Sequence, residues 1–252
     1  IAAVIPARLA SSRFPRKIMH EFFGMPMLGH VRIRAELSKV FNAGVYVATC
    51  DKEVFDLVNN NGGNAIMTSK DHINGTSRVS EAVNKIDCSH VLVLQADEPL
   101  LLPEHLNNFI NQIHKNSQFQ VWNAISDLQN IHDLRNKTIV KCAISQNNRI
   151  LFCFRGAPFV SEFSLQSQYV KKMLGLIAFT KNAILEINNV SSDHIEINES
   201  IEQMRIISSV YEMGAINLGE GLPSVNLKSD AELVIKEMTS NEQQIEILKR
   251  YC

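Results

Sequence analysis

No apolar run in the 252-residue sequence approaches the roughly 18 residues that a membrane span requires, and the opening IAAVIPA has no basic n-region leading to a cleavage site. The expectation is a soluble, cytoplasmic protein with no membrane insertion. An excess of either charge is also missing, since 25 Lys and Arg stand against 26 Asp and Glu, for a formal net charge of -1. No basic face is available to attract nucleic acid, so an anionic partner has to be a small molecule held by a few placed cations. The five cysteines, Cys50, Cys88, Cys142, Cys153 and Cys252, are scattered and show neither C-x-x-C nor Cys/His metal spacing. They read as reduced thiols with no catalytic part. Internal repeats, low-complexity segments and long linkers are lacking too.

The sequence does contain a steady alternation. Short apolar runs rich in β-branched residues at 1–6, 45–49, 65–68 and 91–95 take turns with helical patterns at 26–40, 51–60, 79–86 and 103–115. That order predicts βαβ units, hence an α/β fold with a mostly parallel central sheet and helices on both faces. The second half is less regular. Strands at 119–127, 138–145 and 149–154, joined by Asn-rich turns such as Gln146-Asn147-Asn148, suit antiparallel pairing. The expectation is a single domain over 1–252 with a small antiparallel insertion at about 119–172, followed by a strand at 174–179 and helices at 200–213 and 230–250.

Ligands of such sheets bind beyond the carboxyl ends of strands, so the loops there are searched first. The loop after strand one, Pro6-Ala7-Arg8-Leu9-Ala10-Ser11-Ser12-Arg13-Phe14-Pro15-Arg16-Lys17, gathers four cations and two serines. Arg offers planar bidentate contacts, Lys a compact charge and the backbone further donors, which suits a triphosphate. A solvated basic loop is the plainer alternative. The loop is neither G-x-x-x-x-G-K-[ST] nor G-x-G-x-x-G, which removes the main sequence support for a Walker NTPase and for a dinucleotide dehydrogenase.

A second loop, Asp71-His72-Ile73-Asn74-Gly75-Thr76-Ser77-Arg78, precedes a helix. Gly75 allows close backbone approach, Thr76 or Ser77 is placed to cap the helix, and Arg78 is placed to reach a phosphate or a base. A simple capping turn is the alternative. In the third, Val91-Leu92-Val93-Leu94-Gln95-Ala96-Asp97-Glu98-Pro99, a carboxylate just past a buried strand is where Mg²⁺ bridges protein to phosphate oxygens; two acidic residues in an exposed turn would look the same. His20, His30, His90, His105, His114, His132 and His194 form no i, i+4 metal pair and read as structural or exposed, and Trp122 reads as core.

With Pro6, Ala7, Arg8, Ser11, Arg13, Pro15 and Lys17, the first loop resembles the P-A-R-x-x-S-x-R-x-P-x-K signature of the CMP-KDO synthetases and the related CMP-sialate synthetases. The second loop is similar to that family's H-x-S-G-T-D-R, with Asn74 and Ser77 departing from it. The third is similar to V-Q-G-D-E-P, with Ala96 in place of glycine. The resemblance implies a Rossmann-like nucleotidyltransferase fold and activation of an acidic 2-keto-3-deoxy sugar (KDO or a close relative) by CTP, giving a CMP-sugar and pyrophosphate. It also implies a CTP site of Pro6, Ala7, Arg8, Ser11, Ser12, Arg13, Lys17, Thr68, Asn74, Gly75, Arg78 and Gln95. Arg8, Lys17 and Asp97 would carry catalysis and Asp97 would hold Mg²⁺. Sugar contacts would fall to Gln95, Arg155 and Gln203, a homodimer is expected, and the product would feed lipopolysaccharide or capsule synthesis.

Weaker matches run through Val140-Lys141, through Phe152-Cys153-Phe154-Arg155-Gly156-Ala157-Pro158, and through Glu202-Gln203-Met204-Arg205, where a solvated helix face is the plainer reading. Two positions depart from the family. Met173 stands for a sugar-side histidine, and Asn226 stands where a second metal-binding Asp is expected, which makes it the second candidate metal ligand beside Asp97, with Asp230 nearby placed as an N-cap. The departures leave open a sister cytidylyltransferase acting on amino-KDO, a sialic-type acid or a phosphonate, and a catalytically silent nucleotide-binding relative.

Overall fold

The computed structural model describes residues 1–11, 14–157, 162–192, 194–209 and 211–251. Ser12, Arg13, Pro158 and Cys252 lie outside the described residues. The chain forms two compact units, Ile1–Asn108 with Leu222–Cys252, and Phe109–Gly221.

The first unit opens with strand β1 (Ala2–Ala7), a 3-10 turn (Lys17–Met19) and a hairpin of β2 (Glu21–Phe22) and β3 (Met25–Pro26). Then α1 (Met27–Ser38), β4 (Val45–Thr49), α2 (Lys52–Asn60), β5 (Asn64–Met67), α3 (Gly75–Val83) and β6 (His90–Leu94) alternate as expected. Strands β5, β4, β1 and β6 lie side by side, all parallel, with Ala3 opposite Val45 and Leu92, and Tyr46 opposite Asn64. Continuous apolar sequence in β1 and β6 reflects this, because a parallel strand is covered on both faces: Ala2 through Ile5 and Val91 through Leu94 are fully buried. Helix α2 buries Val54 and Val58, one turn apart, and shows its charged side to water. The parallel order puts the ends of β1, β4, β5 and β6 on one edge, and there the loops gather.

The chain leaves this unit along α4 (Pro103–Lys115). The second unit holds β7 (Val121–Asp127), α5 (Ile131–Arg135), β8 (Lys141–Ile144), β9 (Arg149–Phe154), α6 (Phe163–Gln166), β10 (Val170–Thr180), α7 (Lys181–Ile187), α8 (His194–Glu199), α9 (Gln203–Ile207) and β11 (Met213–Glu220). Strand β7 pairs antiparallel with β10 and parallel with β11, while β8 and β9 form an antiparallel hairpin. Asn148 takes the left-handed conformation (φ 54°) at its turn, as an Asn-rich loop permits. Trp122 is core, with its Nε1–H donating to the Asn116 carbonyl at 3.0 Å. Cys142 faces Cys153 across the hairpin, and burial pushes the Cys142 thiol up to about 12 and the Cys153 thiol well above its ordinary value. The first unit is completed by α10 (Asp230–Ser240) and α11 (Glu242–Leu248). Among the described residues no helix is long and apolar enough to cross a membrane.

Two expected helices are corrected. The helix read over 200–213 is only the short α9, and Met213 begins the strand β11. The terminal helix over 230–250 is broken at Asn241, whose side chain accepts from the amides of Gln243 and Gln244 and so starts α11 afresh.

Candidate active site

A cleft of about 270 Å³ opens at the carboxyl ends of β1 and β6 and the amino end of α3. Of the residues expected to meet the nucleotide, Pro6, Ala7, Arg8, Ser11, Lys17, Asn74, Gly75, Arg78 and Gln95 line it, together with Asp97, the expected metal ligand. The three loops, distant in sequence, therefore converge on one wall.

The first loop is held in shape by its own backbone and by β4. The Leu9 amide donates to Asp51 Oδ2 at 2.8 Å, and the Leu9 carbonyl accepts from the Arg16 amide at 3.1 Å. Arg16 then turns through a left-handed conformation (φ 56°), and its guanidinium pairs with Glu53. Asp51, whose carboxylate holds this loop, is a residue that the sequence reading did not single out. The available signal was an acidic residue directly after a strand that neighbours β1 in a parallel sheet. Beyond Arg16, Lys17 sends its ammonium to Asp97 Oδ2 at 2.7 Å and to the Val225 carbonyl at 2.9 Å. The cation of the first loop and the carboxylate of the third thus form an ion pair with side-chain exposures of only 15% and 25%.

The second loop supplies the floor. Asn74, not Thr76 or Ser77, caps α3: its Oδ1 accepts from the Ser77 amide at 2.8 Å. The helix therefore begins four residues earlier than the expected residue 79, and its amino end faces the cleft, where dipole and unpaired amides favour an anion. A Cβ on Gly75 would lie 3.0 Å from Pro6 Cγ and 3.3 Å from Gln95 Nε2, so glycine is what lets this helix end close against both strand ends. Arg78 is 2% exposed, and one guanidinium nitrogen donates to Thr68 Oγ1 at 2.6 Å and to the Ser69 carbonyl at 3.1 Å. The other nitrogen, Nη2, is buried without a hydrogen-bond partner. An orphaned, buried donor at a cleft wall is available to a ligand or a water that enters the cleft. Thr68 is itself buried and serves by holding Arg78. His72 pairs with Glu81 beside this floor; burial works to raise the Glu81 carboxyl, but the bonds from His72 and the Ser69 amide outweigh it and hold it below its ordinary value.

Among the described residues no cluster of three His, Cys, Asp or Glu forms a metal cage. Asp97 stands as a lone carboxylate at the cleft wall, which fits a Mg²⁺ ion that takes most of its oxygens from phosphates and water. Asn226 turns its amide nitrogen toward Ser224 Oγ at 3.3 Å. Asp230 is not an N-cap. It is the first residue of α10, and its carboxylate accepts from the amides of Asn226 and Leu227 upstream.

The residues expected at the sugar lie in the second unit, except Gln95. Arg155 spends its guanidinium on the carbonyls of Lys137, Thr138, Glu199 and Ser200. Gln203 donates to Asn123 Oδ1 at 3.3 Å, and Asn123 is fully buried. Arg205 is buried and pairs with Glu196 through both carboxylate oxygens, so this part of α9 is not a solvated face. Lys141 is also buried; desolvation and the neighbouring Arg155 lower its amine to about 8, although Nζ donates to the Asn136 carbonyl at 2.6 Å.

Parallel strands with an anion-receptive cleft at their carboxyl edge fit the α/β nucleotidyltransferase fold. The chain belongs to the cytidylyltransferase family, which it matches over residues 2–215. It is 30% identical to the 3-deoxy-manno-octulosonate cytidylyltransferase of Trichlorobacter lovleyi over 83% of this chain and 86% of that protein. The corresponding protein of Flavobacterium johnsoniae is 32% identical over 82% and 85%. The solved structure of CMP:2-keto-3-deoxy-manno-octonic acid synthetase complexed with CTP superposes with a TM-score of 0.87 at 27% identity, covering 94% of this chain and 98% of that one. The inositol-1-phosphate CTP transferase from T. maritima, at 12% identity and a TM-score of 0.69, shares the fold.

Proposed function

We propose that the protein transfers CMP from CTP to the anomeric hydroxyl of 3-deoxy-manno-octulosonate, with pyrophosphate as the second product, in the cytoplasm and in support of lipopolysaccharide or capsule synthesis. The observation that carries this is the Lys17–Asp97 pair at the wall of a cleft that also holds a donor-rich loop, a helix amino end and the orphaned Arg78 nitrogen. Arg8 and Lys17 bind and neutralise triphosphate oxygens, α3 offers its amino end to the nucleotide, and Arg78 gives Nη2 to it. Asp97 would hold Mg²⁺, which when bound would draw charge from the phosphates and make the attacking hydroxyl more acidic. The hydroxyl oxygen forms its bond to the α-phosphorus as the bond to the β-phosphate oxygen breaks in line, and the hydroxyl proton is released. Positioning and charge neutralisation, without a covalent intermediate, supply the rate.

The test is pyrophosphate release from CTP with a panel of acceptors: 3-deoxy-manno-octulosonate, its amino analogue, a sialic acid and a phosphonate. Turnover is expected with the first, with CTP far ahead of ATP and UTP the nearer competitor, and loss of turnover on chelation of divalent metal. Preference for another acceptor would move the assignment to a sister enzyme, a possibility that Met173 and Asn226 motivate. No turnover with any acceptor, despite CTP binding, would leave a silent relative. Sedimentation of the same preparation tests the proposed homodimer.

A further inference from the structure

We infer that Asp230 is a positioning residue, whose carboxylate shapes residues 225–227 into a strap that seats the Lys17 ammonium against Asp97. One oxygen, Oδ2, accepts two backbone amides, from Asn226 at 2.8 Å and Leu227 at 2.7 Å. Those bonds fix the chain immediately after Val225. Val225 is fully buried and works through its backbone alone: its N–H donates to the Asp97 carbonyl at 2.9 Å, and its carbonyl accepts from Lys17 Nζ at 2.9 Å. Lys17 in turn reaches Asp97 Oδ2 at 2.7 Å.

Asp230 is absent from the cleft wall, so it acts through the strap and not on the nucleotide. A lysine ammonium is a compact charge on a flexible stem with three donors. Two acceptors in fixed positions, one on Asp97 and one on Val225, remove that freedom and leave the third donor for a phosphate. A backbone carbonyl has no side chain to adjust it, so its place is set by whatever shapes the turn around it, and here Asp230 does so on the carboxyl side while the Val225–Asp97 backbone bond holds the other. The inference deepens the proposed CTP reaction and takes its kinetic test from that reading.

Asp230→Ala and Asp230→Asn in the full chain separate the possibilities. The asparagine keeps a single side-chain oxygen able to accept both amides, whereas alanine removes it. Asp230→Ala is expected to lower kcat for pyrophosphate release roughly tenfold with a smaller change in the CTP KM, as loss of an interaction that matters mainly in the transition state would do. Asp230→Asn should stay within about twofold of the parent, since a neutral acceptor still satisfies the amides. In hydrogen exchange, the amides of Val225, Asn226 and Leu227 should lose protection together in Asp230→Ala and keep it in Asp230→Asn. If Asp230→Ala does not fold, Asp230→Ser, which leaves only a shorter hydroxyl, replaces it. Unchanged kcat and protection in the alanine variant would overturn the inference. An asparagine variant as inactive as the alanine one would overturn it too, by showing that the charge and not the strap matters. If the parent protein does not turn over CTP, the proposed reaction fails while the exchange measurement still decides the strap.

Discussion

Arg78 shows how a single residue can be disfavoured in the folded state and still belong there. Its guanidinium is 2% exposed, yet Nη2 has no hydrogen-bond partner, an arrangement that costs folding free energy until a ligand accepts from it. Methionine matches its stem without a charge to desolvate. Arg78→Met is therefore expected to lower kcat/KM for CTP by about 10- to 100-fold, the loss of a charge-assisted contact, while leaving the melting temperature unchanged or higher. Thermal melting beside steady-state kinetics checks both halves; a large drop in melting temperature would show that the bonds to Thr68 and Ser69 make Arg78 a structural residue instead. Much of this scale was legible in the sequence. The expected nucleotide contacts Arg8, Ser11, Lys17, Asn74, Gly75, Arg78 and Gln95, with Asp97, meet around one cleft because short loops at strand ends leave few places for their side chains. The division of labour among them was not legible. Thr68 holds Arg78, and Arg155 binds backbone carbonyls, because side-chain partners are set by how the folded segments pack and not by the local pattern.

Helix α3 concentrates the same lesson at the level of an element. Apolar spacing marks its body but not its start, which is decided by whichever polar side chain reaches the free amides, and Asn74 does so ahead of Thr76 and Ser77. The cap coincides with the proposed anion site, so stability and binding can be driven apart at one position. Asn74→Asp keeps an oxygen for the Ser77 amide and adds a charge that the helix dipole favours, but sets that charge where phosphate is expected. The variant should be as stable as the parent, or up to about 1 kcal/mol more so, and should bind CTP at least tenfold more weakly. Urea denaturation and calorimetric titration with CTP measure the two; unchanged affinity would remove α3 from the phosphate site. Strand β11 was illegible for a different reason. Gly214 and Gly219 blur its alternation, and Gly214 is there because a Cβ would lie 2.6 Å from the Phe119 ring. The pairing of β11 with β7 creates the strand, and single-sequence patterns do not carry pairing partners.

On the scale of the molecule, alternation of strands and helices was enough to give the α/β class, while the way the carboxyl-terminal segment returns to the site was hidden, since it depends on contacts more than a hundred residues apart. One of these returns is expected to make stability depend on pH. Edge-on rings run from Phe14 through His20, Phe22 and His30 to Tyr251, tying the base of the first loop to the carboxyl-terminal segment. His30 is fully buried, with Nε2 facing the Phe22 carbonyl at 2.8 Å and Nδ1 facing the Tyr251 hydroxyl at 2.9 Å. Burial lowers its imidazole below the ordinary value, and the nearby Arg34 pushes the same way against the bond to Phe22. His105 is lowered by burial too, against the charge of Glu104. In the unfolded chain both would titrate near about 6.5. Above that pH neither state binds these protons and the contribution of the two imidazoles is fully present; below it the unfolded chain takes them up first, so stability falls with pH until the lower folded-state values are reached. The carboxyls of Glu81 and Asp127 are also depressed, the latter chiefly by the hydrogen bond from Lys171, but an unfolded carboxylate titrates near about 4, so their loss comes in a later, more acidic window. Urea midpoints should therefore decline between pH 7.5 and 5.5, before any carboxylate is involved. The decline should shrink in His30→Gln, where the amide can still donate to the Phe22 carbonyl, and shrink further when His105→Gln is added. A midpoint that stays constant over this range, or a slope that survives both substitutions, would show that neither of these imidazoles governs the acid response.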